Sequence, residues 1–271
     1  MLKKSFLPLL FLAPFIVFGW GKTGHRTIAQ MGQDMLSKDV QDKITATLGG
    51  SNMAMVANWA DEIRSDKQYK YVSRWHYTNL NENLTKEEYE KNAFMQNYGQ
   101  IIYRVYSIAQ TLHDRQRNKD AANDSYVKND TVLLKLLIHF VGDMHQPLHL
   151  GRPKDLGANK IKVKWFNDKI NLHSLWDNRI ISIEGLSYTE WAQYLSSTHN
   201  LTPVKISSED ELQKAVIEWG WDVYQFTNII YNNIDDTDKT YEYVYNYKWI
   251  YEKCFCLAAE RLAGIMNYIY D

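Results

Sequence analysis

The chain has 271 residues, enough for one large domain or two small ones, and 45% of them are hydrophobic, so a sizeable core is possible. The formal net charge is −1 at pH 7, which excludes the global basic field that attracts nucleic acid. A phosphate ligand would therefore need local cations to neutralise its charge.

Residues 1–19 have the features of a secretory signal peptide. Two lysines precede a short apolar run that contains two prolines, and Gly19 suits the last position before a cleavage site. An uncleaved membrane anchor is the alternative, but the run is short and broken by proline. The sequence thus predicts a secreted or periplasmic protein that begins at Trp20 and has no stable membrane association.

Helical periodicity dominates residues 20–271, which contain no linker or repeat, so a single all-α domain is predicted. Asn52, Thr85 and Asp130 are candidate N-caps, and Thr85 forms a capping box with Glu88. The predicted helices cover roughly 23–36, 38–48, 52–66, 86–115, 130–146, 173–181, 188–197, 208–233 and 246–269.

Two segments depart from this helical pattern, and a third contains the only two cysteines of the chain. The alternating IKVKWF, followed by Asn167 and Asp168, predicts a small β-hairpin with residues 169–172. The polar, tyrosine-rich segment 231–247 is predicted to be a surface loop. Cys254 and Cys256 are two residues apart on a predicted helix, where their side chains diverge, so no disulfide is expected between them.

Two His/Asp pairs recur close together in the sequence. His139 precedes Asp143 by four positions, and His173 precedes Asp177 by the same interval, which places each pair on one face of a helix. Imidazole and carboxylate groups are preferred zinc ligands. One isolated pair is equally consistent with a hydrogen-bonded packing pair, but the recurrence favours a metal site with more than one ion.

Further residues are candidates for this site, and one nearby histidine is excluded from it. Pro147 is expected to end the helix, so that His149 lies on the following turn, whereas His145 points away and is left out. Upstream, Asp61 and Arg64 alone indicate a surface ion pair, and His76 alone indicates nothing. At the predicted mature terminus, the amine and carbonyl of Trp20 could chelate an ion close to His25, although most chain termini are frayed.

Together these residues resemble a known family. The motifs WGKTGHR, WADEIR, WHYTN, HFVGDMHQPLH, GANKI and HSLWD have the order and spacing seen in the zinc-dependent single-strand nucleases of the S1/P1 type, from Trp20 to about Asp177. The resemblance implies the helical fold shared with the related zinc phospholipases C. It also implies three Zn²⁺ ions, whose ligands would be Asp61, His76, His139 and Asp143 for the first, His149, His173 and Asp177 for the second, and Trp20, His25 and Asp143 for the third.

The resemblance also implies an activity. The chain would hydrolyse single-stranded DNA and RNA to 5′-phosphate products and act on 3′-nucleotides, through a hydroxide that bridges two zinc ions. Arg64 would stabilise charge on the phosphate, and Tyr77 would stack on a base. Asn79 stands where some members have an acidic residue, which puts the base preference in doubt. A monomer is expected.

Two other functions remain open from the sequence. A phospholipase C acting on lipid headgroup phosphoesters would use nearly the same zinc ligands, but it would require an apolar, membrane-facing rim that the motifs do not show. A non-catalytic zinc-binding protein would ordinarily provide four protein ligands for each ion. The second set, His149, His173 and Asp177, has three, which leaves room for water or substrate and favours catalysis.

Overall fold

The architecture was analysed in a computed structural model, which describes residues 20–94, 100–117 and 129–271. These residues form a mainly helical single domain with a two-stranded hairpin, as the sequence predicts. The α-helices are α1 (Lys22–Asp34), α2 (Lys38–Thr47), α3 (Met53–Val56), α4 (Trp59–Glu62), α5 (Lys86–Ala93), α6 (Ile101–Gln116), α7 (Asp130–Met144), α8 (Leu172–Ser174), α9 (Ile180–Ser182), α10 (Tyr188–Thr198), α11 (Glu209–Asn232) and α12 (Thr240–Tyr270).

The core forms around α7 and the 31-residue helix α12. From Leu136 to Met144 every residue of α7 is buried, because α6, α1 and α12 pack around it. A helix that is apolar on all sides belongs in the centre of a bundle. α1 packs against α12, α10, α3 and α7, so the start of the described chain is joined to the same core.

Local capping explains several helix starts. The Asn52 side chain accepts a hydrogen bond from Met55, and Thr85 forms the predicted capping box with Glu88. The third prediction was wrong by one residue, because Asn129 rather than Asp130 is the N-cap of α7. Its Oδ1 accepts from the amides of the first turn, and Asp130 lies inside the helix.

Three predicted helices are divided in the structure. Segment 52–66 forms α3, α4 and a 3₁₀ turn (Ile63–Ser65), and a further 3₁₀ helix (Lys67–Arg74) follows. Segment 86–115 is not one helix: α5 ends at Ala93, α6 begins at Ile101, and residues 95–99 lie outside the described part. Segment 173–181 contains a π-helix (Leu175–Arg179) between α8 and α9.

The hairpin is shifted by one residue from its prediction. Strand β1 (Lys162–Trp165) pairs antiparallel with β2 (Asp168–Asn171), rather than with residues 169–172. The connecting turn therefore consists of Phe166 and Asn167, and Phe166 adopts the left-handed φ of +52° that such tight turns require. Immediately after β2, Leu172 begins α8, so the hairpin leads directly into the second His/Asp pair.

The prediction of a surface loop over 231–247 was wrong. A 3₁₀ turn (Ile234–Asp238) is followed at once by α12, which starts at Thr240. The tyrosines divide between two faces, with Tyr243 buried and Tyr245 exposed. Cys254 and Cys256 are free and buried, as expected from their spacing. Among the described residues, none of the helices combines the length and apolar character needed to cross a bilayer.

Candidate metal centre

The end of α7 and the turn after it hold three of the candidate ligands. His139 and Asp143 are fully buried one helical turn apart, with His139 Nε2 3.1 Å from Asp143 Oδ2. The helix ends before Pro147, and the Gln146 side chain accepts a hydrogen bond from the amide of Leu148. The resulting 3₁₀ turn (Pro147–Leu150) places His149 beside the helix end, as the sequence predicts.

The second pair lies next to His149. His173 is on α8, whose start is capped by the Asn171 side chain, and its Nε2 is 3.4 Å from Asp177 Oδ2. The rings of His149 and His173 are stacked with centroids 5.2 Å apart. His149, His173 and Asp177 therefore form one group whose ligand atoms all lie within 4.8 Å of one another.

Asp143 lies at the meeting point of the other candidates. His76 Nδ1 donates to its Oδ2 at 2.8 Å, and His25 Nε2 is 3.3 Å from its Oδ1. Asp61 Oδ1 is 3.8 Å from His139 Nε2. Two further groups with metal-binding geometry result, namely His76, His139 and Asp143, and His25, Asp61 and His139. Three His/Asp groups in the described chain could thus hold metal ions.

Backbone carbonyls fix the orientation of three histidine rings. The Nδ1–H of His139 donates to the carbonyl of Ala57 at 2.7 Å, that of His149 to His76 at 2.6 Å, and that of His173 to Gly157 at 2.5 Å. A carbonyl only accepts, so Nδ1 carries a proton and Nε2 is the nitrogen left to bind a metal ion. This is the arrangement that positions metal-ligating imidazoles.

His145 shows the alternative use of a buried histidine. Its Nδ1 donates to Val141 at 2.7 Å, but its Nε2 accepts a hydrogen bond from Arg261 at 3.0 Å. Both nitrogens are used within the protein, so no lone pair is left for a metal ion. This geometry is a reason to keep His145 out of the proposed ligand sets.

Unsatisfied polar atoms test whether these residues fit metal ions. Several buried ring nitrogens form no hydrogen bond of acceptable geometry with the described residues, namely both nitrogens of His25, Nε2 of His76 and Nε2 of His139. Asp143 Oδ1 is in the same position. Buried polar atoms of this kind are costly unless a partner satisfies them. Nitrogen and carboxylate oxygen are the donors that zinc takes, so the residues fit the ion.

Burial and neighbouring charges set the protonation of the centre. Burial lowers the pKa of His76 to about 4 and also lowers that of His25, so both rings are neutral near pH 7. Burial raises the pKa of Asp177 well above its usual range. Burial alone would lower the pKa of His139, but the negative charges of Asp143 and Asp61 have a larger combined effect and raise the pKa of His139 to about 9. A divalent ion binding here would replace that proton.

A close approach between α1 and α7 admits His25 to the centre. A β-carbon on Gly142 would stand 2.6 Å from His25 Nδ1, so only glycine leaves room for the ring at this position. His25 then stacks on His139 with centroids 3.9 Å apart. No local sequence pattern selects Gly142, because its role depends on how two helices that are distant in sequence pack together.

The first described residues, Trp20 and Gly21, lie beside the second group. Trp20 is fully buried and packs edge-to-face on Phe255, with ring centroids 5.0 Å apart. The amide of Gly21 donates to the carbonyl of Asp177 at 2.6 Å. This hydrogen bond links the predicted mature terminus to a residue of the His149 group. Trp20 is therefore ordered and close to the centre rather than frayed.

The remaining predicted site residues border the centre. Arg64 Nη2 lies 2.8 Å from Asp61 Oδ1, with only 19% of the arginine side chain exposed. Tyr77 and Asn79 line a cavity of about 210 Å³ together with His173. The other residues that line this cavity, which the sequence did not single out, are Leu148, Leu156, Gly157 and Asn159.

Fold and site together define a mainly helical protein whose core holds adjoining His/Asp groups able to bind metal ions. The family model of the S1/P1 nucleases matches residues 20–271. The chain therefore belongs to the S1/P1 nuclease family, as its motifs predict.

Named relatives extend the comparison. The chain is 31% identical over 188 residues to Endonuclease 4 of Arabidopsis thaliana, covering 66% of the chain and 62% of the relative. It is 32% identical over 187 residues to Nuclease P1 of Penicillium citrinum, covering 65% of each. Nuclease S1 of Aspergillus oryzae is 26% identical over 171 residues, covering 61% of the chain and 55% of the relative. The chain thus matches less than two thirds of the length of each of these relatives.

Proposed function

We propose that this protein is a secreted, zinc-dependent phosphodiesterase that hydrolyses single-stranded DNA and RNA to 5′-phosphate products and also acts on 3′-nucleotides. The observation that carries the proposal is the set of three adjoining His/Asp groups, with histidine rings fixed by backbone carbonyls, beside a pocket that contains an aromatic ring. Family membership and relatives named as nucleases support it.

The proposed ligands form three sets around Asp143. The first zinc ion would be held by Asp61, His76, His139 and Asp143, the second by His149, His173 and Asp177, and the third by Trp20, His25 and Asp143. Bound zinc ions supply Lewis acidity, which acidifies water and neutralises charge on a phosphate. Support for Asp143 as a shared ligand comes from its contacts with His76, His139 and His25.

Arg64 is proposed to bind the phosphate. Its ion pair with Asp61 holds the guanidinium at the edge of the metal centre. A guanidinium offers paired donors to the oxygens of a phosphate, and its hydrogen bonds strengthen as charge develops there. Asp61 thus has two proposed tasks, as a metal ligand and as the group that orients Arg64.

The cavity lined by Tyr77, Asn79 and His173, which we call the base pocket, supports a single-stranded substrate. Tyr77 can stack on any base, because every base has an aromatic face. Asn79 offers both a donor and an acceptor to a base edge, so a narrow base preference is not expected. A base must leave its duplex partner to enter such a pocket, which disfavours double-stranded substrates.

Secretion is part of the proposal because of Trp20. Only removal of residues 1–19 would free the amine of Trp20, which with its carbonyl would chelate the third ion. The burial of Trp20 and the hydrogen bond between Gly21 and Asp177 support a terminus held at the centre.

Digestion of matched single-stranded and double-stranded substrates, with and without a chelator, tests the proposal. We expect cleavage of single-stranded DNA and RNA, little cleavage of duplex, and complete loss with the chelator that added zinc reverses. Activity that survives chelation would refute the metal mechanism. Release of phosphocholine from lipid, without cleavage of nucleic acid, would identify a phospholipase C instead.

A further inference from the structure

The metal centre is open to a second concave surface. A cleft of about 540 Å³ is lined by residues from 21–24, 58–62 and 177–182, and we call it the α1 cleft. It includes Asp61 and Asp177, which belong to the metal-binding groups, but neither Tyr77 nor Asn79. The centre therefore adjoins two separate concave surfaces, the base pocket through His173 and the α1 cleft through Asp61 and Asp177.

The start of α1 contributes a wall of backbone amides and a lysine to the cleft, which is also lined by Asp61, Glu62 and Asp177. α1 begins at Lys22, and its N-cap, Gly21, provides no side-chain hydrogen bond to the first turn. The free amides at a helix N-terminus favour anions. Lys22 is exposed and forms no ion pair within the described chain. This wall suits a phosphate group.

Asn58 gives the cleft a buried acceptor that lacks a partner. Its side chain is 2% exposed, and its Nδ2 donates to the carbonyl of Lys22 at 3.4 Å. Its Oδ1 has no hydrogen bond with any described residue. A buried acceptor left unsatisfied is costly, and this one lines the cleft, where the hydroxyl or amino group of a ligand would satisfy it.

The smallest proposed substrate, a 3′-nucleotide, indicates which part of a nucleic acid would bind in the base pocket and which in the α1 cleft. A 3′-nucleotide has only a base, a sugar and a 3′-phosphate, so it fills the base pocket and the metal centre alone. In a longer strand, the nucleotide joined through its 5′-oxygen to that same phosphate must leave the centre along a surface other than the base pocket. The α1 cleft is such a surface, because Asp61 and Asp177 line it and no residue of the base pocket does.

We propose that the α1 cleft binds the nucleotide on the 5′-phosphate side of the cleaved bond. Lys22 and the first-turn amides of α1 face the next phosphate along the strand, and Asn58 accepts a hydrogen bond from the sugar or base. This inference rests on the proposed function and adds a substrate-binding surface to it. The surface favours oligonucleotides over 3′-nucleotides.

Three substrates that release the same nucleoside test the inference. They are its 3′-nucleotide, a dinucleoside monophosphate, and a trinucleoside diphosphate in which cleavage of the first linkage is measured. Lys22→Ala should lower kcat/KM for the trinucleoside diphosphate about tenfold more than for the 3′-nucleotide. Ser182→Trp, which introduces a bulky ring at the exposed edge of the cleft, should lower kcat/KM selectively for both longer substrates. Lys214→Ala removes an exposed charge outside both pockets and serves as the control.

The metal content of each variant is measured alongside, so that a lost ion is not mistaken for a lost contact. Equal losses on all three substrates, or no loss on the longer two, would overturn the assignment of the α1 cleft. If the parent enzyme hydrolyses none of the three, the proposed function itself is wrong. The two failures are therefore distinguishable.

Discussion

The ring of His25 lies directly against the Cα of Gly142, at a distance that leaves no room for a β-carbon. At this position α7 contributes no side chain to its contact with α1. As a result His25 reaches Asp143, with Nε2 3.3 Å from Oδ1, and stacks on His139. A histidine from the start of the chain thereby enters a centre formed mainly by residues more than a hundred positions later.

Gly142→Ala should remove one metal ion without abolishing the fold. The added β-carbon would press on His25 and displace its ring from Asp143, and overpacking of this kind costs about 1–3 kcal/mol. We expect zinc content to fall by roughly one ion per chain, with a modest decrease in Tm. Elemental analysis and thermal unfolding measure the two effects.

Gly32→Ala is the matched control, since a β-carbon there would lie 3.2 Å from a flexible Leu262 methyl group. It should keep the zinc content of the parent. Full zinc content in Gly142→Ala would show that His25 is not a ligand.

His145 and His149, four positions apart, should respond differently to substitution by alanine. His149→Ala should lose the second ion, because its Nε2 is directed into the group with His173 and Asp177. His145→Ala should keep all ions but lose about 1–3 kcal/mol of stability, since Arg261 loses a buried partner. Zinc content and denaturant unfolding of both variants separate a ligand from a packing residue; loss of zinc from His145→Ala would contradict the distinction.

Arg64→Ala should retain zinc and lose most turnover. Removing a donor that meets charge in the transition state costs about 10²–10³ in kcat. Arg64→Lys should recover part of the rate, because a lysine keeps the charge but not the paired donors. Arg74→Ala, an exposed arginine on a neighbouring 3₁₀ helix, controls for lost charge. An unchanged kcat in Arg64→Ala would remove this residue from the mechanism.

Tyr77→Ala should weaken substrate binding in proportion to lost stacking. Stacking on an aromatic side chain contributes about 1–3 kcal/mol per base, so KM should rise roughly ten- to a hundredfold for 3′-nucleotides and oligonucleotides alike. Tyr77→Phe keeps the ring and should bind nearly as well as the parent. Equal KM values in Tyr77→Ala and the parent would show that the base lies elsewhere.

The sequence predicted those parts of the structure that follow from local spacing. His139 and Asp143, and His173 and Asp177, are four residues apart on helical turns, and each pair is close in the structure. Proline correctly marked the helix end before His149. The motif resemblance was needed to join His76 and Asp61 to these pairs, since neither stands out from its own neighbours.

Tertiary contacts account for what the sequence did not predict. The tyrosine-rich segment before residue 247 has the polar composition of a loop, yet Tyr243 is buried in α12 and its hydroxyl accepts a hydrogen bond from Trp176 Nε1. Within the π-helix, the carbonyl of Asp177 accepts a hydrogen bond from the amide of Gly21, which is more than 150 residues away in the sequence. Neither contact is encoded in a local pattern.

The zinc content of the chain that begins at Trp20 tests the central claim most directly. We predict three zinc ions per chain, and two when a single extra residue precedes Trp20, because the extension moves the amine away from the centre. The extended chain should also lose most of its activity. A fully active chain with only trace zinc would contradict the account, and equal zinc in both forms would contradict the role of Trp20.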